Sequence, residues 1–180
     1  MPSLKIGLTG LPGAGKTDVV MRVAEMLKAD DITIGGMITE PVIEKGERKG
    51  FYVQDILTGE KGVFAHENIE SRRMVGKYGI DTSALDEIGV NAIRNALEKA
   101  DIIAIEEVGR MEVESPVFVE VVREALDSDK PMIITLHKKS RNPLLQDIRR
   151  RDDIRILEVT IVNRNLLPYK VVSLLKGETI

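Results

Sequence analysis

A glycine-rich run near the start of the chain limits its possible folds more than any other feature. The run reads Gly10-Leu11-Pro12-Gly13-Ala14-Gly15-Lys16-Thr17 and matches G-x-x-x-x-G-K-[ST] in full. It follows the apolar segment Leu4 to Thr9, which is typical of a strand, and precedes Thr17 to Leu27, whose apolar residues have helical spacing. A glycine turn that matched the pattern by chance would not be expected to lie between a strand and a helix. The run therefore predicts a strand, a phosphate-binding loop and a helix.

Each part of this loop has a chemical use. The glycines let backbone N–H groups turn inward around phosphate oxygens, and the following helix adds the positive end of its dipole. Lys16 supplies a full charge to the outer phosphates, and the hydroxyl of Thr17 is left to ligate Mg²⁺. We predict that Gly10 to Thr17, together with Asp18 in the first helical turn, bind a nucleoside triphosphate such as ATP or GTP with Mg²⁺.

A pair of acids follows an apolar segment in the middle of the chain. Residues 102–105 are continuously apolar, as in a strand that helices cover on both faces, and Glu106 and Glu107 come next. An acid at the end of such a strand holds the Mg²⁺ shell in P-loop proteins. Successive strand side chains point to opposite faces, so we assign Glu106 to the metal and Glu107 to the attacking water. Two solvated carboxylates at a strand end are the alternative.

Several further residues are candidates for the same site. Gly109 could supply an N–H near the terminal phosphate and Arg110 could reach that region, although both also fit an ordinary turn. Asn163 and Arg164 follow the last predicted strand and could flank a nucleobase, while a helix cap explains the asparagine equally well. His137 follows another strand, but a lone histidine is more often structural.

Other basic residues are weaker candidates. An arginine late in the chain could stabilise the transferring phosphoryl group, although charge runs are usually solvated. Four arginines qualify: Arg141, Arg149, Arg150 and Arg151. Arg48, Arg72, Arg73 and Lys77 lie where an acceptor site or lid would sit, and the sequence does not choose between binding and solubility.

The order of the predicted elements indicates the fold class. Strands alternate with helices, which implies an α/β protein with a parallel sheet covered on both faces. Consecutive strand-like runs at Ile32 to Thr39, Gly50 to Ile56 and Lys61 to Ala65 predict a β-hairpin appended to that sheet. Ser83 and Asp86 have the spacing of a capping box at the start of a helix. The length of 180 residues predicts a single domain spanning 1–180.

Composition excludes several classes of function. The net charge is −3, because 26 Lys and Arg residues are balanced by 29 Asp and Glu residues. Nothing in this composition strongly indicates nucleic acid as a partner. The chain lacks cysteine, which excludes disulfides and thiol chemistry, so any metal should be bound by oxygen. No leader segment and no membrane-spanning apolar run are evident, so we expect a cytoplasmic protein without a membrane, and we favour a monomer.

Four segments together resemble one family. The P-loop G-L-P-G-A-G-K-T, the acidic strand I-I-A-I-E-E-V-G-R-M-E, D-I-R-R-R-D-D and N-R-N-L occur in this order and at this length in the THEP1 nucleoside-triphosphatases. The resemblance covers nearly the whole chain. It implies a RecA-like, three-layer αβα P-loop core and a cytosolic, Mg²⁺-dependent hydrolase of ATP, GTP and other triphosphates with broad base tolerance.

The chain departs from the family pattern at two positions. The family usually carries D-E-x-G-K-M-E, so Glu106 replaces Asp and Arg110 replaces Lys. The longer Glu106 leaves the metal geometry open, whereas Glu107 keeps the general base and Arg110 keeps the positive charge. The resemblance thus implies Lys16, Glu107 and Arg110 as catalytic residues.

Two other functional classes remain possible from the sequence. A nucleotide or nucleoside kinase needs the same P-loop but adds an acceptor pocket and a lid that excludes water. A regulatory GTPase-like module is suggested by Glu106-Glu107-Val108-Gly109, which imitates a D-x-x-G switch element. The chain contains no N-K-x-D motif to specify the base, which lowers this last alternative.

Overall fold

The central feature of the computed structural model, which describes residues 4–178, is a sheet of nine strands. The strands are β1 (Lys5–Thr9), β2 (Ile34–Glu44), β3 (Glu47–Asp55), β4 (Lys61–His66), β5 (Met74–Val75), β6 (Tyr78–Ile80), β7 (Ile102–Val108), β8 (Met132–Leu136) and β9 (Ile154–Glu158). Their order across the sheet is β5-β6-β4-β3-β2-β7-β8-β1-β9. Strands β2, β7, β8, β1 and β9 run parallel, as predicted.

Helices cover both faces of the parallel part. They are α1 (Lys16–Ala29), α2 (Thr82–Ala84), a π-helix (Leu85–Val90), α3 (Asn91–Lys99), a 3-10 helix (Glu112–Glu114), α4 (Pro116–Asp127), α5 (Pro143–Arg150) and α6 (Leu167–Leu175). Apolar residues of α1 and α6 pack on one face of the sheet, and those of α3, α4 and α5 pack on the other. Between residues 4 and 178, no helix is both long enough and apolar enough to span a bilayer. The predicted three-layer α/β fold is confirmed.

The appended β structure is larger than a hairpin. Strand β2 is 11 residues long, and only its first part, Ile34 to Met37, pairs with β7. The remainder pairs with β3 in antiparallel fashion, and β4, β6 and β5 continue the sheet in the same way. Strand β2 continues to Glu44, beyond its last residue paired with β7. The antiparallel part of the sheet therefore extends past the carboxyl ends of the parallel strands.

The cap of the helical segment after β6 differs from the prediction. Asp81, not Ser83, is the N-cap: its carboxylate accepts from the backbone N–H of Ser83 at 3.0 Å and of Ala84 at 3.3 Å. Asp81 has the extended backbone of a cap, whereas Ser83 already lies within α2. Asp86 instead accepts a hydrogen bond from Ser115, the N-cap of α4. Hydrogen bonding between distant segments therefore overrides the local capping-box pattern.

Replacement of Gly36 by Ala should destabilise this sheet strongly. Gly36 has a φ of 122°, and a Cβ there would overlap the carbonyl oxygen of Ala104 on β7. We expect a loss of more than about 3 kcal/mol in the free energy of unfolding, measured in urea. Gly46→Ala is the matched control, because Gly46 also has a positive φ of 78° but no atom within 4 Å of its Cβ position. A similar loss in both variants would assign the effect to φ alone.

Candidate active site

The loop between β1 and α1 has the form that phosphate binding requires. Gly13 and Gly15 have φ values of 80° and 107°, which glycine adopts without strain. The N–H of Ala14 donates to the carbonyl of Leu11 at 3.1 Å and closes the turn. Because α1 begins at Lys16, the unpaired N–H groups of its first turn face the loop. The structure thus places the loop between strand and helix as predicted, with Asp18 exposed in the first turn of α1.

Two side chains at the start of α1 connect the loop to its surroundings. The Nζ of Lys16 donates to the Gly10 carbonyl at 2.8 Å, so the ammonium lies across the loop. The hydroxyl of Thr17 donates to Oε1 of Glu106 at the end of β7. Residues that are 89 positions apart in sequence therefore meet at one point. The structure brings together the two residues that the sequence assigned to the metal.

The environment of Glu106 disfavours its charged form. Its side chain lies against α1, the residue is only 3% exposed, and Oε2 has no hydrogen-bond partner. Burial raises the pKa of Glu106 to about 7; the Thr17 hydrogen bond opposes this rise, and the nearby Glu107 adds to it. A positively charged ligand at Oε2 would give this oxygen a partner. It would also offset the cost of burying the carboxylate charge.

The donor set at this point fits Mg²⁺. Mg²⁺ prefers oxygen ligands, keeps several waters and is bound in nucleotide sites by one or two protein groups together with substrate phosphates. Thr17 and Glu106 are such groups, and the unpartnered oxygen of Glu106 is a free acceptor. Within residues 4–178, no cluster of three or more acids or histidines could hold a metal by itself.

Glu107 follows Glu106 at the end of β7 and lies close to Glu112, a residue that was not among the predicted site residues. A Cβ built on Gly109 would be 2.9 Å from Oε1 of Glu107 and 3.1 Å from Oε2 of Glu112. Glu112 is buried, and burial, with Glu107 as the next cause, raises its pKa to about 8. Glu107 is half-buried. Its carboxylate thus lies beside a carboxyl group that is protonated at neutral pH.

The raised pKa of Glu112 has a measurable effect on stability. A folded-state pKa of about 8 lies above the ordinary 4.5, so the stabilisation it gives is complete below pH 4.5 and is lost as the pH rises through about 8. Glu112→Gln should therefore raise the Tm by about 5 °C at pH 9, with the difference shrinking toward pH 5. Thermal unfolding measures this. Glu114→Gln, on the same 3-10 helix but half-exposed, is the control and should change little at either pH.

His137 and Arg110 lie at the mouth of this centre. His137 follows β8, and its Nδ1 accepts from the N–H of Lys139 at 3.3 Å, so the neutral ring carries its proton on Nε2. Burial lowers the pKa of His137; Glu107 raises it, and Lys16 and Arg110 lower it. The ring is therefore within electrostatic reach of all three predicted catalytic residues. Arg110 itself is exposed.

The segment after β9 forms the other wall of the loop. Asn163 is occupied in shaping it: its Oδ1 accepts from Thr160 N–H and its Nδ2 donates to the Glu158 carbonyl, both at 2.8 Å. Asn163 is therefore not the side-chain cap of α6, which begins at Leu167, and each end of its amide makes one hydrogen bond within its own turn. Arg164 does reach the loop, since a Cβ on Gly15 would lie 3.0 Å from its Cδ.

An apolar slot of about 390 Å³ separates these two walls. One side is formed by residues 11–14 and the other by residues 158–162. Leu11, Ile161 and Val162 are apolar yet 52%, 72% and 91% exposed. The walls touch at Gly10, where a Cβ would lie 2.7 Å from the Val159 carbonyl oxygen. The slot thus opens beside the phosphate loop and is lined by exposed apolar side chains.

Comparison with known proteins identifies the family. A family model described as NTPase matches residues 5–172. The nucleoside-triphosphatase THEP1 of Thermoplasma acidophilum is 38% identical over 176 residues, 98% of this chain and 97% of the relative. The THEP1 of Methanosarcina acetivorans is 42% identical over 171 residues, 94% of this chain and 95% of the relative. The chain belongs to the THEP1 family of nucleoside-triphosphatases.

Solved structures agree with this assignment. The THEP1 crystal structure from Aquifex aeolicus superposes with a TM-score of 0.87 at 30% identity, covering 96% of this chain and 99% of that one. A human cancer-related nucleoside triphosphatase superposes with a TM-score of 0.83 at 29% identity, covering 99% and 100%. This member of the THEP1 family is thus an enzyme of the hydrolase class with the P-loop fold of its relatives.

The late arginines of this THEP1 family member are largely structural. Arg149 donates to the carbonyls of Ser140 and His137, at 2.9 and 2.6 Å, and fixes the loop after β8. Arg151 is bound to Asp127 and Asp153. Two of the four candidates for a transition-state arginine are therefore already engaged with other protein groups. Arg150 and Arg141 are exposed.

Proposed function

We propose that this nucleoside-triphosphatase hydrolyses ATP, GTP and other nucleoside triphosphates to the diphosphate and phosphate, and that it requires Mg²⁺. The observation that carries the proposal is the hydrogen bond from Thr17 to Glu106, which joins the phosphate loop to the acidic strand. The two would hold Mg²⁺ there, with the unpartnered oxygen of Glu106 as an acceptor. Mg²⁺ would neutralise charge that develops on the phosphoryl oxygens.

The remaining catalytic tasks are assigned to residues around that point. Lys16 would exchange the Gly10 carbonyl for phosphate oxygens, and the N–H groups at the start of α1 would bind the same oxygens. Glu107, the last acid of β7, would orient the attacking water and accept its proton. Arg110, exposed at the mouth of the site, would add positive charge near the terminal phosphate.

The apolar slot supports broad base tolerance. Its lining is mainly aliphatic side chains and loop backbone, with Glu158 and Thr160 as the polar members. Stacking and apolar contact accept every base, because each base has a π-face, whereas discrimination needs dedicated hydrogen bonds. Arg164, packed against Gly15 at the edge of the slot, would cover the base or the sugar. The nucleobase is thus proposed to lie between the phosphate loop and residues 158–162.

Val162→Asp should weaken binding of every nucleotide. Val162 is 91% exposed, so the substitution should not alter the Tm, but it introduces a carboxylate into the slot. We expect the KM for ATP and GTP to rise roughly 10-fold each, which is the loss of one base contact. Ile43→Asp, on the exposed tip of β2, is the control. Unchanged KM values for both nucleotides would place the base elsewhere.

The experiment that tests the function is phosphate release from ATP, GTP, CTP and UTP, with Mg²⁺ and with EDTA. Nucleosides and monophosphates are added as acceptors, and labelled products are separated. Steady, Mg²⁺-dependent release from all four without an acceptor supports the proposal. Turnover that depends on an acceptor would instead indicate a kinase, an alternative weakened by the structural engagement of Arg149 and Arg151. The cytoplasmic location and the monomeric state stay predictions.

A further inference from the structure

Two buried side-chain oxygen atoms in the described part of the chain have no hydrogen-bond partner. They are Oε2 of Glu106 and Oγ1 of Thr135. Thr135 is 0% exposed. A buried polar atom without a partner destabilises a folded protein, and nearly all such atoms are bonded. The two exceptions therefore call for an explanation, and the proposed function uses only the first of them.

The two atoms lie on the same face of the sheet. Along β8, Ile133 packs with α1 and α6, whereas Met132, Ile134 and Leu136 pack on the opposite face. By this alternation Thr135 faces α1. Glu106 faces α1 as well, because it accepts the hydrogen bond from Thr17. Both residues with an unpartnered oxygen therefore lie on the α1 face of the sheet.

The two residues are also neighbours across strands. Ile105 of β7 is level with Ile134 of β8, and after a bulge Val108 is level with Leu136. Glu106 and Glu107 are consequently the two β7 residues opposite Thr135. On its other side Thr135 is level with Leu8 of β1, just before the phosphate loop. Thr135 thus lies between the phosphate loop and the acidic pair, at the centre of the site.

The chemistry of the pair selects a water that donates two hydrogen bonds. Glu106 and Thr135 do not bond to each other, and a carboxylate oxygen only accepts, while a hydroxyl can accept as well as donate. A metal-bound water is a strong donor and a poor acceptor, so both of its hydrogens need acceptors, which Oε2 of Glu106 and the Thr135 hydroxyl can supply. Oε1 of Glu106 already accepts from Thr17, which leaves Oε2 for this task.

We propose that Thr135 is a positioning residue which, together with Oε2 of Glu106, holds one water of the Mg²⁺ shell. This inference rests on the proposed Mg²⁺ dependence. It gives Glu106 a contact to Mg²⁺ through water, which suits a side chain one methylene longer than the usual Asp. Residues that orient a metal shell in this way commonly contribute about 10-fold to 100-fold in metal affinity or activity.

The side chain of Thr135 has a feature that a purely structural role would not explain. A β-branched residue suits a buried strand, but valine has the same shape without the hydroxyl. In the metal-free protein the hydroxyl has no partner, so valine should be at least as stable there. A hydroxyl that lowers stability in the free protein is expected where it serves the bound state.

Thr135→Val tests the proposal, with Thr135→Ser as the conservative variant. The Tm is measured in EDTA without nucleotide, and nucleotide affinity is measured in EDTA. Mg²⁺ is then titrated calorimetrically with a non-hydrolysable triphosphate, and in turnover. For Thr135→Val we expect an equal or higher Tm, unchanged metal-free nucleotide affinity, and a Mg²⁺ concentration for half-saturation raised about 10-fold or more. Thr135→Ser should restore Mg²⁺ affinity to within roughly 3-fold of the wild type.

Each other outcome overturns the proposal. An unchanged Mg²⁺ titration for Thr135→Val would show that the hydroxyl does not serve the metal shell. A clearly lower Tm in EDTA, or failure to fold, would show that the hydroxyl is already bonded in the free protein, to protein or to a structural water. If the wild-type enzyme itself turns over equally in EDTA, the proposed Mg²⁺ dependence fails as well, and the wild-type titration alone reveals this.

Discussion

Glu107→Gln is expected to lower kcat by about 10²-fold to 10⁴-fold while triphosphate binding changes little. Glutamine keeps the size of the side chain and its place at the end of β7 but cannot accept the proton of the attacking water. The proposed phosphate contacts come from Lys16 and the loop, and Glu107 is not among them. The loss should therefore fall on the chemical step, with kcat and kcat/KM reduced equally.

Two measurements on the same preparations check this expectation. Phosphate release at saturating ATP gives kcat, and calorimetric titration with ATP gives the affinity. Glu114→Gln is the matched control, because this half-exposed residue belongs to the adjacent 3-10 helix and faces Arg73 instead of the site. Turnover of Glu107→Gln near the wild-type rate would remove Glu107 from the role of general base. A parallel loss of affinity would instead assign Glu107 to ground-state binding.

Those parts of the site that depend on local sequence could be predicted from the order of the residues alone. The phosphate loop needs glycine at fixed positions and a helix directly after it, so its eight residues are sufficient to indicate it. The acids at Glu106 and Glu107 follow a continuous apolar strand, and parallel strands present their carboxyl ends at one edge. Both signals depend on neighbours along the chain, and both agree with the observed positions.

The parts that depend on pairing between distant segments were not predictable. Thr135 looks like an ordinary strand residue until β8 is placed between β1 and β7, opposite the two glutamates. Glu112 is buried beside Glu107 only because the chain turns back at Gly109. The hydrogen bond from Ser115 to Asp86, 29 residues apart, and the antiparallel extension beyond β2 likewise arise from contacts that no local pattern records.

The contact between Arg164 and Gly15 was predictable in one respect and not in another. The sequence could propose Arg164 as a residue beside the nucleotide, because it follows the last strand of an α/β sheet, where ligands bind. It could not separate Arg164 from its neighbour Asn163. The structure separates them by hydrogen bonding: both polar ends of the Asn163 amide are used within its own turn, while the Arg164 side chain lies on the loop.

Lys16→Ala should reduce both binding and turnover, in contrast to Glu107→Gln. In the proposed site the ammonium would contact phosphate in the ground state and in the transition state, so its removal should cost affinity as well as rate. We expect ATP affinity to fall roughly 10-fold to 100-fold, the worth of charged hydrogen bonds, and kcat/KM to fall by about 10³-fold or more. The Tm of the free protein should change little, because Lys16 is half-buried and makes one hydrogen bond there, to the Gly10 carbonyl.

Lys28→Ala is the control for this variant, since Lys28 is exposed in the last turn of the same helix. Calorimetry with ATP and phosphate release are again the two readouts. Wild-type affinity in Lys16→Ala would mean that the triphosphate does not lie on the loop. Loss of affinity in Lys16→Ala together with preserved affinity in Glu107→Gln would instead separate the residue that holds the phosphates from the residue that activates the water.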